Sequence, residues 1–272
     1  MQSADVKIVD TITKLDQSHV GQVVIAGSHG GLYAGYCAAK GHVLAVILND
    51  AGVGLDQAGI GSLEYLDELA IAAATADHDS CRIGNGTDMA AHGMVSHVNR
   101  HAEALGCRPG DRVADCARKM LAATPSTLPV PARGESRHTE RNGDGLPRIV
   151  VMDSLSLVSP EDEGAILIAA SHGALLGEKR ETGLPVNVLA GVFCDAGVGK
   201  DDAGISRLAP LDERGIAAVT VSAESARIGD GDSVYETGLL SHLNRTAEAL
   251  GATPGMTTRA FVDLVSKRAA PK

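Results

Sequence analysis

Tryptophan is absent from the 272 residues of this chain, and the other aromatic residues are scarce, with four Tyr and two Phe. Proteins that bind single-stranded nucleic acid use aromatic side chains to stack on bases, and this chain has few to offer. Basic residues are also outnumbered, because 24 Lys and Arg face 34 Asp and Glu and leave a net charge of −10. That charge repels a phosphate backbone. We therefore expect no nucleic acid among the partners of this protein.

The chain also lacks a long apolar run and a cysteine framework. No stretch approaches the roughly 20 apolar residues of a membrane-spanning helix, and the opening residues, MQSADVKIVD, lack the basic-then-apolar order of a signal peptide. Five cysteines form an odd set without CxxC spacing: Cys37, Cys81, Cys107, Cys116 and Cys194. Such a set is typical of reduced thiols in a cytosol. We expect a cytoplasmic protein that does not contact a membrane.

The most informative feature of the sequence is an internal duplication. VVIAGSHGG (23–31) matches ILIAASHGA (166–174) at an offset of 143 residues, and later segments such as DAGVG, SCRIGNG and SHVNR match DAGVG, SARIGDG and SHLNR at an offset of 145. A segment rich in Pro, Gly and charge lies between the copies and is typical of a linker. We predict a first α/β repeat over 1–121, a linker over 122–148 and a second α/β repeat over 149–272.

Within each copy, short apolar runs alternate with longer periodic segments. Runs such as QVVIAG and HVLAVIL predict strands buried on both faces, whereas GLYAGYCAAKG, SLEYLDEL and MVSHVNRHAEALG predict helices. On the helix that follows SCRIGNG, His92, Ser96 and Asn99 would share one face. The alternation predicts the α/β fold class, with a mostly parallel sheet flanked by helices in each copy. We expect the copies to pack with pseudo-twofold symmetry, like the subunits of a dimer.

The candidate site residues follow the predicted strands, because ligands of open parallel sheets bind at the carboxyl ends of the strands. The catalytic candidates are the Ser-His pairs and the aspartates of both copies: Ser28, His29, Asp50, Ser171, His172 and Asp195. The substrate-binding candidates are glycines, serines and arginines near the same ends: Gly30, Ser80, Arg82, Gly84, Gly173, Ser225, Arg227 and Gly229.

The Ser-His-Gly element of each copy has two interpretations. On a strand-to-helix turn, Ser28 and Ser171 can bind or attack a substrate while glycine amides hold an oxyanion. The alternative is that each serine is a helix N-cap and the glycines serve only the backbone geometry. His29 and His172 titrate near neutrality, which favours a functional role over packing alone.

The aspartates of the two DAGVG segments, Asp50 and Asp195, have three interpretations: general base, magnesium ligand or helix N-cap. DAGVG lacks the alternating acids and the final Glu of a calcium-binding EF-hand loop. No cofactor is required by these patterns, and no ligand set has the spacing of a metal site. The clustered aspartates nevertheless leave room for a divalent metal ion.

Arg82 and Arg227 lie in the repeated glycine-rich segments SCRIGNG and SARIGDG. A guanidinium in such a turn suits a substrate carboxylate or phosphate, and the alternative is an internal salt bridge. Cys194 takes the place of Asn49 in the second copy. Its thiol is a nucleophile or, as is usual for a buried cysteine, inert.

These patterns predict an enzyme of small-molecule metabolism. We expect a hydrolase of the amidohydrolase type, or a lyase, acting on a small carboxylate or a cyclic or open amide in the cleft between the repeats. In this hypothesis the arginines anchor anions, the histidines and aspartates move protons, and the serines bind or attack. The alternative is a non-catalytic sensor or carrier of a nucleotide or organic acid. Assembly into a homo-oligomer is a further expectation.

Overall fold

The computed structural model describes residues 4–143 and 145–269. Within them the chain forms a mixed α/β fold with two mostly parallel sheets, one of five strands and one of six, flanked by helices. This confirms the predicted fold class. The apolar runs identified in the sequence form the inner strands of both sheets.

The first sheet has its strands in the order in which they occur along the chain: β1 (Val6–Val9), β2 (Val23–His29), β3 (Ala45–Asn49), β4 (Ala72–Ala76) and β5 (Val95–Val98). β1 to β4 are parallel, and β5 pairs antiparallel with β4 at the edge. The carboxyl ends of the parallel strands therefore meet at one edge of the sheet, where the Ser-His pair of β2 lies.

The second sheet contains β6 (Arg137–Gly143), β7 (Leu146–Met152), β8 (Ile166–His172), β9 (Ala190–Cys194), β10 (Ala217–Val221) and β11 (Leu240–Leu243), in that order. β7 to β10 are parallel, while β6 and β11 are antiparallel strands at the two edges. β6 lies inside the segment predicted as a linker, so that segment is partly ordered. Its polar sequence, RHTERNG, suits an exposed edge strand.

The helices of the described residues are α1 (Leu32–Lys40), α2 (Ser62–Glu68), α3 (Gly86–His92), α4 (Arg100–Ala104), α5 (Val113–Met120), α6 (Leu208–Glu213), α7 (Gly231–Thr237), α8 (Arg245–Leu250) and α9 (Thr258–Ala269). Successive residues of a central strand pack on opposite layers. Val46 of β3 packs with α1 and α2, whereas the next residue, Ile47, packs with α3 and α5. Burial on both faces explains why β3 lacks polar alternation.

One helix prediction is wrong. MVSHVNRHAEALG was expected to be a single helix, but residues 95–98 form β5, and Asn99 is the N-cap of α4, where its side chain accepts a hydrogen bond from the N–H of Ala102. Ser96 instead faces β4, where its Oγ lies 3.0 Å from Oγ1 of Thr75. The proposed face of His92, Ser96 and Asn99 does not exist, because α3 ends at His92, Ser96 lies in β5 and Asn99 caps α4.

The DAGVG turns of the two copies contact each other through their backbones. Gly52 and Gly197 both have φ of +75°, and a Cβ added to Gly52 would lie 2.9 Å from Cα of Gly197. Beside this contact the N–H of Leu55 donates to the carbonyl of Ala223 over 2.8 Å. The two sheets are thus joined by tightly packed backbone as well as by side chains.

No helix among residues 4–143 and 145–269 is long and apolar enough to cross a membrane. All five cysteines are free thiols. A cytoplasmic location and a homo-oligomeric state stay predictions.

Gly197→Ala should destabilise the protein more than Gly106→Ala. Both glycines have positive φ, but a Cβ at Gly197 would meet Gly52 at 2.9 Å, whereas nothing lies within 4 Å of one at Gly106. The control loses about 1–2 kcal/mol from backbone strain alone, and Gly197→Ala should lose a further ~1–3 kcal/mol from overpacking. Urea unfolding measures the free energy of unfolding of both variants, and equal losses would show that the two DAGVG turns are not tightly packed against each other.

Candidate functional site

The two Ser-His pairs, which lie on different sheets, converge on one cavity. β2 ends at His29 and β8 at His172, and their ring centroids are 6.4 Å apart with the rings edge to face at 77°. Ser28 and Ser171 line the same cavity, which has a volume of about 400 Å³. We call it the Ser-His cavity. The Ser-His cavity thus contains four of the six catalytic candidates.

The wall of the Ser-His cavity is built by both sheets and by the segment between the copies. Its polar lining residues beyond the two Ser-His pairs are Thr11, Thr13, Lys14, Tyr33, Glu135, Asp153, Ser154, Ser156, Glu181 and Arg207. Hydroxyl groups are the most numerous, and two cations and three acids accompany them. A small polar molecule would find both donors and acceptors there.

Ser28 and Ser171 each hold the turn that follows the neighbouring strand. Oγ of Ser28 accepts a hydrogen bond from the N–H of Ile12, and Oγ of Ser171 accepts one from the N–H of Leu155, both over 2.9 Å. The N-cap of α1 is Gly31, without a side-chain cap. The N-cap alternative for Ser28 is therefore wrong. A role for either serine in binding or attack stays a prediction.

The histidines are held as neutral imidazoles with a defined tautomer. Nδ1 of His29 accepts from the N–H of Gly31 over 3.2 Å, and Nδ1 of His172 accepts from the N–H of Ala174 over 3.3 Å. Because a backbone amide only donates, the ring proton of each neutral imidazole lies on Nε2. Burial lowers the pKa of His29 to about 4 and, together with the neighbouring His29, lowers the pKa of His172 to about 3.

These protonation states decide what the imidazoles can do. Near neutral pH each ring is uncharged and presents an N–H rather than a lone pair at Nε2. Such a group is a poor general base, but it donates a hydrogen bond to a carbonyl oxygen or to the oxyanion that forms from it. The geometry therefore favours polarisation of a substrate by His29 and His172 over proton abstraction.

The glycine candidates serve the backbone rather than a bound anion. All four donate their N–H to a backbone carbonyl at 2.6 to 2.8 Å: Gly30 to Asn49, Gly84 to Gly27, Gly173 to Cys194 and Gly229 to Ala170. Gly84 and Gly229 also bring backbone close to the histidine of the opposite copy. A Cβ added to Gly84 would lie 3.5 Å from Cε1 of His172, and one added to Gly229 would lie equally near Cε1 of His29.

Asp50 and Asp195 lie at the contact between the DAGVG turns and do not line the Ser-His cavity. Oδ1 of Asp195 accepts from the N–H groups of Gly197, at 3.0 Å, and Ala223, at 2.9 Å. Asp50 accepts in the same way from Gly52 and also from the side chain of His78. The carboxylates thus cap turns, not helices. A role for Asp50 and Asp195 as general bases stays a prediction, which their position outside the cavity does not support.

Asp50, Asp77 and His78 bring possible metal-ligand atoms within 4.8 Å of one another. Oδ1 of Asp50 is already occupied by two backbone N–H groups and by Nδ1 of His78 at 2.9 Å. Burial opposes ionisation of Asp50, but the hydrogen bonds outweigh it and lower its pKa. The hydrogen bond with Asp50 raises the pKa of His78. These contacts describe an ion pair, and a divalent metal stays an unsupported prediction.

The predicted anion anchors are paired with carboxylates of the opposite copy. Nη2 of Arg82 lies 2.7 Å from Asp201, and Nη1 of Arg227 lies 3.0 Å from Asp56. Arg227 also contacts Asp230 at 2.9 Å. These contacts match the salt-bridge alternative. Binding of a substrate anion by either arginine would require release of these carboxylates, and it stays a prediction.

The remaining candidates are used locally. Oγ of Ser80 donates to the carbonyl of Asp77 over 2.7 Å, and Oγ of Ser225 donates to that of Ser222 over 2.8 Å. Neither serine lines the Ser-His cavity. Cys194 is fully buried, and burial raises the pKa of its thiol, which agrees with the inert alternative.

None of the five charged residues that line the cavity was among the predicted site residues, and two of them, Glu135 and Arg207, are important for its chemistry. Glu135 comes from the predicted linker, and burial raises the pKa of its carboxyl, towards which Ser156 donates a hydrogen bond of 3.4 Å. Arg207 is only 3% exposed and begins α6. The matching position in the first copy is Ser62, so the difference between copies was the available signal for Arg207.

No known protein family, curated protein or solved structure matches this chain. The chemistry of the Ser-His cavity is therefore the basis for assigning a function.

The buried imidazoles should make the protein acid-sensitive. Their folded pKa values lie below the ordinary value of 6.5, so protonation favours the unfolded chain. Their stabilising contribution is fully present above pH 6.5 and is lost as the pH falls through the range towards 4. The melting temperature of a His29→Gln/His172→Gln double variant should fall less over that pH range than the melting temperature of the wild type. His92→Gln, whose side chain is 60% exposed on α3, is the control. Equal slopes for all three proteins would contradict the assigned protonation states.

Proposed function

We propose that the Ser-His cavity is the active site of an enzyme that acts on a small carboxylate or amide, as a hydrolase or lyase. The observation that carries the proposal is the convergence of two neutral imidazoles, 6.4 Å apart, on one cavity. Buried titratable groups with strongly shifted pKa values cluster at functional sites. Packing alone would be satisfied by apolar side chains at both positions.

We infer further that the two copies are units related by a pseudo-twofold axis, which passes between the DAGVG turns. The support is a set of contacts that exchange when 145 is added to or subtracted from the residue numbers. The N–H of Leu55 donates to Ala223, and the N–H of Lys200 donates to His78. The ion pairs of Arg82 with Asp201 and Arg227 with Asp56 exchange in the same way. This arrangement favours one shared site over two half-sites.

In the proposed mechanism, the histidines polarise the scissile group. Nε2–H of His172 and of His29 donate to the carbonyl oxygen of the substrate and hold the negative charge that develops on it. Such preorganised donors act without reorientation and are strongest where water is excluded. The hydroxyl groups of Ser28 and Ser171 bind the polar atoms around the reacting carbonyl.

Glu135 is the group that we assign to proton transfer in this mechanism. For an amide, the oxygen of a water molecule bonds to the carbonyl carbon while Glu135 takes the water proton. When the carbon–nitrogen bond breaks, Glu135 returns that proton to the leaving nitrogen. A carboxyl group with a raised pKa suits both steps. Asp50 and Asp195 are less suited, because their oxygens hold the turns away from the cavity.

A non-catalytic sensor or carrier is the second candidate. It is favoured because few groups remain to stabilise an oxyanion. Backbone carbonyls already occupy the N–H groups of Gly30, Gly84, Gly173 and Gly229, which leaves the imidazoles as the main donors. Incubation with monoamides of dicarboxylic acids and with cyclic imides, followed by NMR analysis of the mixture, separates the candidates. New products indicate an enzyme, whereas tight binding of an unchanged compound indicates a sensor.

His172→Ala should lower kcat for a substrate found in this way by about 10²–10³-fold, the usual cost of removing one oxyanion donor. His172→Gln should retain more activity, because its amide can donate from near the position of Nε2. His92→Gln, on the exposed face of α3, should keep full activity. Steady-state kinetics measures all three. Full activity of His172→Ala would remove the cavity from the mechanism.

Glu135→Gln should lower kcat by about 10²–10⁴-fold, the range of general acid–base catalysis. In the wild type, kcat/KM should fall as the pH drops through the pKa of Glu135, which burial places above its ordinary value of 4.5. This acidic limb should disappear in the variant, because Gln does not titrate. A variant that keeps the acidic limb would show that another group moves the proton.

A further inference from the structure

Arg207 occupies a wall of the Ser-His cavity next to the second Ser-His pair. It is 3% exposed, precedes α6 and lines the cavity together with His172. Nη2 donates to the carbonyl of Ala174 over 2.6 Å, and Nη1 donates to that of Gly183. Ala174 is also the residue whose N–H fixes the ring of His172. The guanidinium and the imidazole are therefore held by the same stretch of backbone.

The charge of Arg207 is retained although the side chain is buried. Burial lowers its pKa to about 10, which leaves the guanidinium protonated at neutral pH. The guanidinium carbon lies 5.4 Å from the ring centroid of Phe193, within the range of a cation–π interaction. A planar cation fixed in this way loses little further freedom when a carboxylate binds.

On the opposite wall of the cavity, the position that matches Arg207 does not hold a cation. Ser62 stands there in the first copy, and the other lining cation, Lys14, is exposed. Of the lining acids, Asp153 accepts from the N–H groups of Ser136 and Gly231, at 2.6 and 2.9 Å. The cavity thus has one buried cationic end.

The remaining two acids of the lining are Glu181, which is exposed, and Glu135, towards which Ser156 donates a hydrogen bond over 3.4 Å. Attraction between a cation and an anion is also stronger where water is excluded than at an exposed rim. The buried end of the cavity is therefore suited to an anion, and the imidazole N–H groups of His172 and His29 are suited to a neutral carbonyl group.

We propose that Arg207 binds the carboxylate of the substrate, so that the cavity selects a small organic monoanion with an amide or carbonyl group at its other end. This inference rests on the proposed function for the identity of the site. A carboxylate on the guanidinium would leave the rest of the molecule to extend towards His172 and His29. The substrate class is then a monocarboxylate with a second, uncharged polar group, such as the monoamide of a dicarboxylic acid.

Matched pairs of a carboxylate and its primary amide test this proposal by calorimetric titration. The probes are propionate and propionamide, succinamate and succinamide, and glutaramate and glutaramide. At least one carboxylate should bind the wild type about tenfold or more tightly than its amide, the effect of one charge-assisted pair. Equal affinities within every pair, or no binding of any carboxylate, would overturn the proposal.

Arg207→Met should abolish the preference for the carboxylate while leaving the affinity for the amide unchanged, and Arg207→Lys should retain part of it. Arg214→Met is the matched control, because Arg214 supports the same wall through the carbonyls of Leu184 and Val186, both at 2.8 Å, without lining the cavity. An equal loss in Arg214→Met would show that the effect comes from loosening of the wall. If Arg207→Met does not fold, the wild-type pairs and Arg207→Lys still decide.

The two proposals fail in different ways. If carboxylates bind more tightly than amides because of Arg207 but no compound is converted to product, the proposed catalysis is wrong and the anion site stands. Product formation with equal preference for carboxylate and amide would remove the role of Arg207 and leave the proposed catalysis intact.

Discussion

The backbone contact between the two DAGVG turns is the constraint on which the rest of this structure depends. Gly52 and Gly197 meet with left-handed backbones, and neither has room for a Cβ. Asp50 and Asp195 hold these turns by accepting their N–H groups. The contact sets how closely the two sheets approach, and that distance decides whether the ends of β2 and β8 enclose a cavity.

The ion pairs around this contact have a secondary role. The side chains of Arg82 and Arg227 are 32% and 43% exposed, and exposed ion pairs contribute little to stability. Their geometry instead favours one orientation of the two sheets, since each guanidinium meets a carboxylate of the opposite copy. Residues that looked like ligand anchors thus contribute to the alignment of the walls of the cavity.

Unequal side chains make the two walls of the cavity chemically different. His29 and His172 make equivalent hydrogen bonds, in which Nδ1 accepts from a nearby backbone amide and the ring proton lies on Nε2. Arg207 is present on one side alone, because the first copy has Ser62 at that position. Glu135 comes from the segment between the copies and has no counterpart in the duplication.

The sequence by itself determined the α/β class and the inner strands of both sheets, because continuous apolar runs report burial on both faces directly. It also identified the Ser-His pairs as the centre of the candidate site. Only the tertiary structure decided which repeated residues line the cavity and which join the two sheets. Residues that pack and residues that do chemistry can both recur within a chain. Recurrence therefore did not distinguish DAGVG and the two arginines, which join the sheets, from the Ser-His pairs, which line the cavity.

Glu135 and Arg207 could not be found from repetition, since neither is repeated. Periodicity also missed the edge strand β5, which lies between Gly93, the C-cap of α3, and Asn99, the N-cap of α4. The apolar spacing of the segment that contains β5 suits a single helix. Contacts between residues far apart in the chain decided these features. Periodicity reports which side of an element is buried, but it does not report what lies against that side.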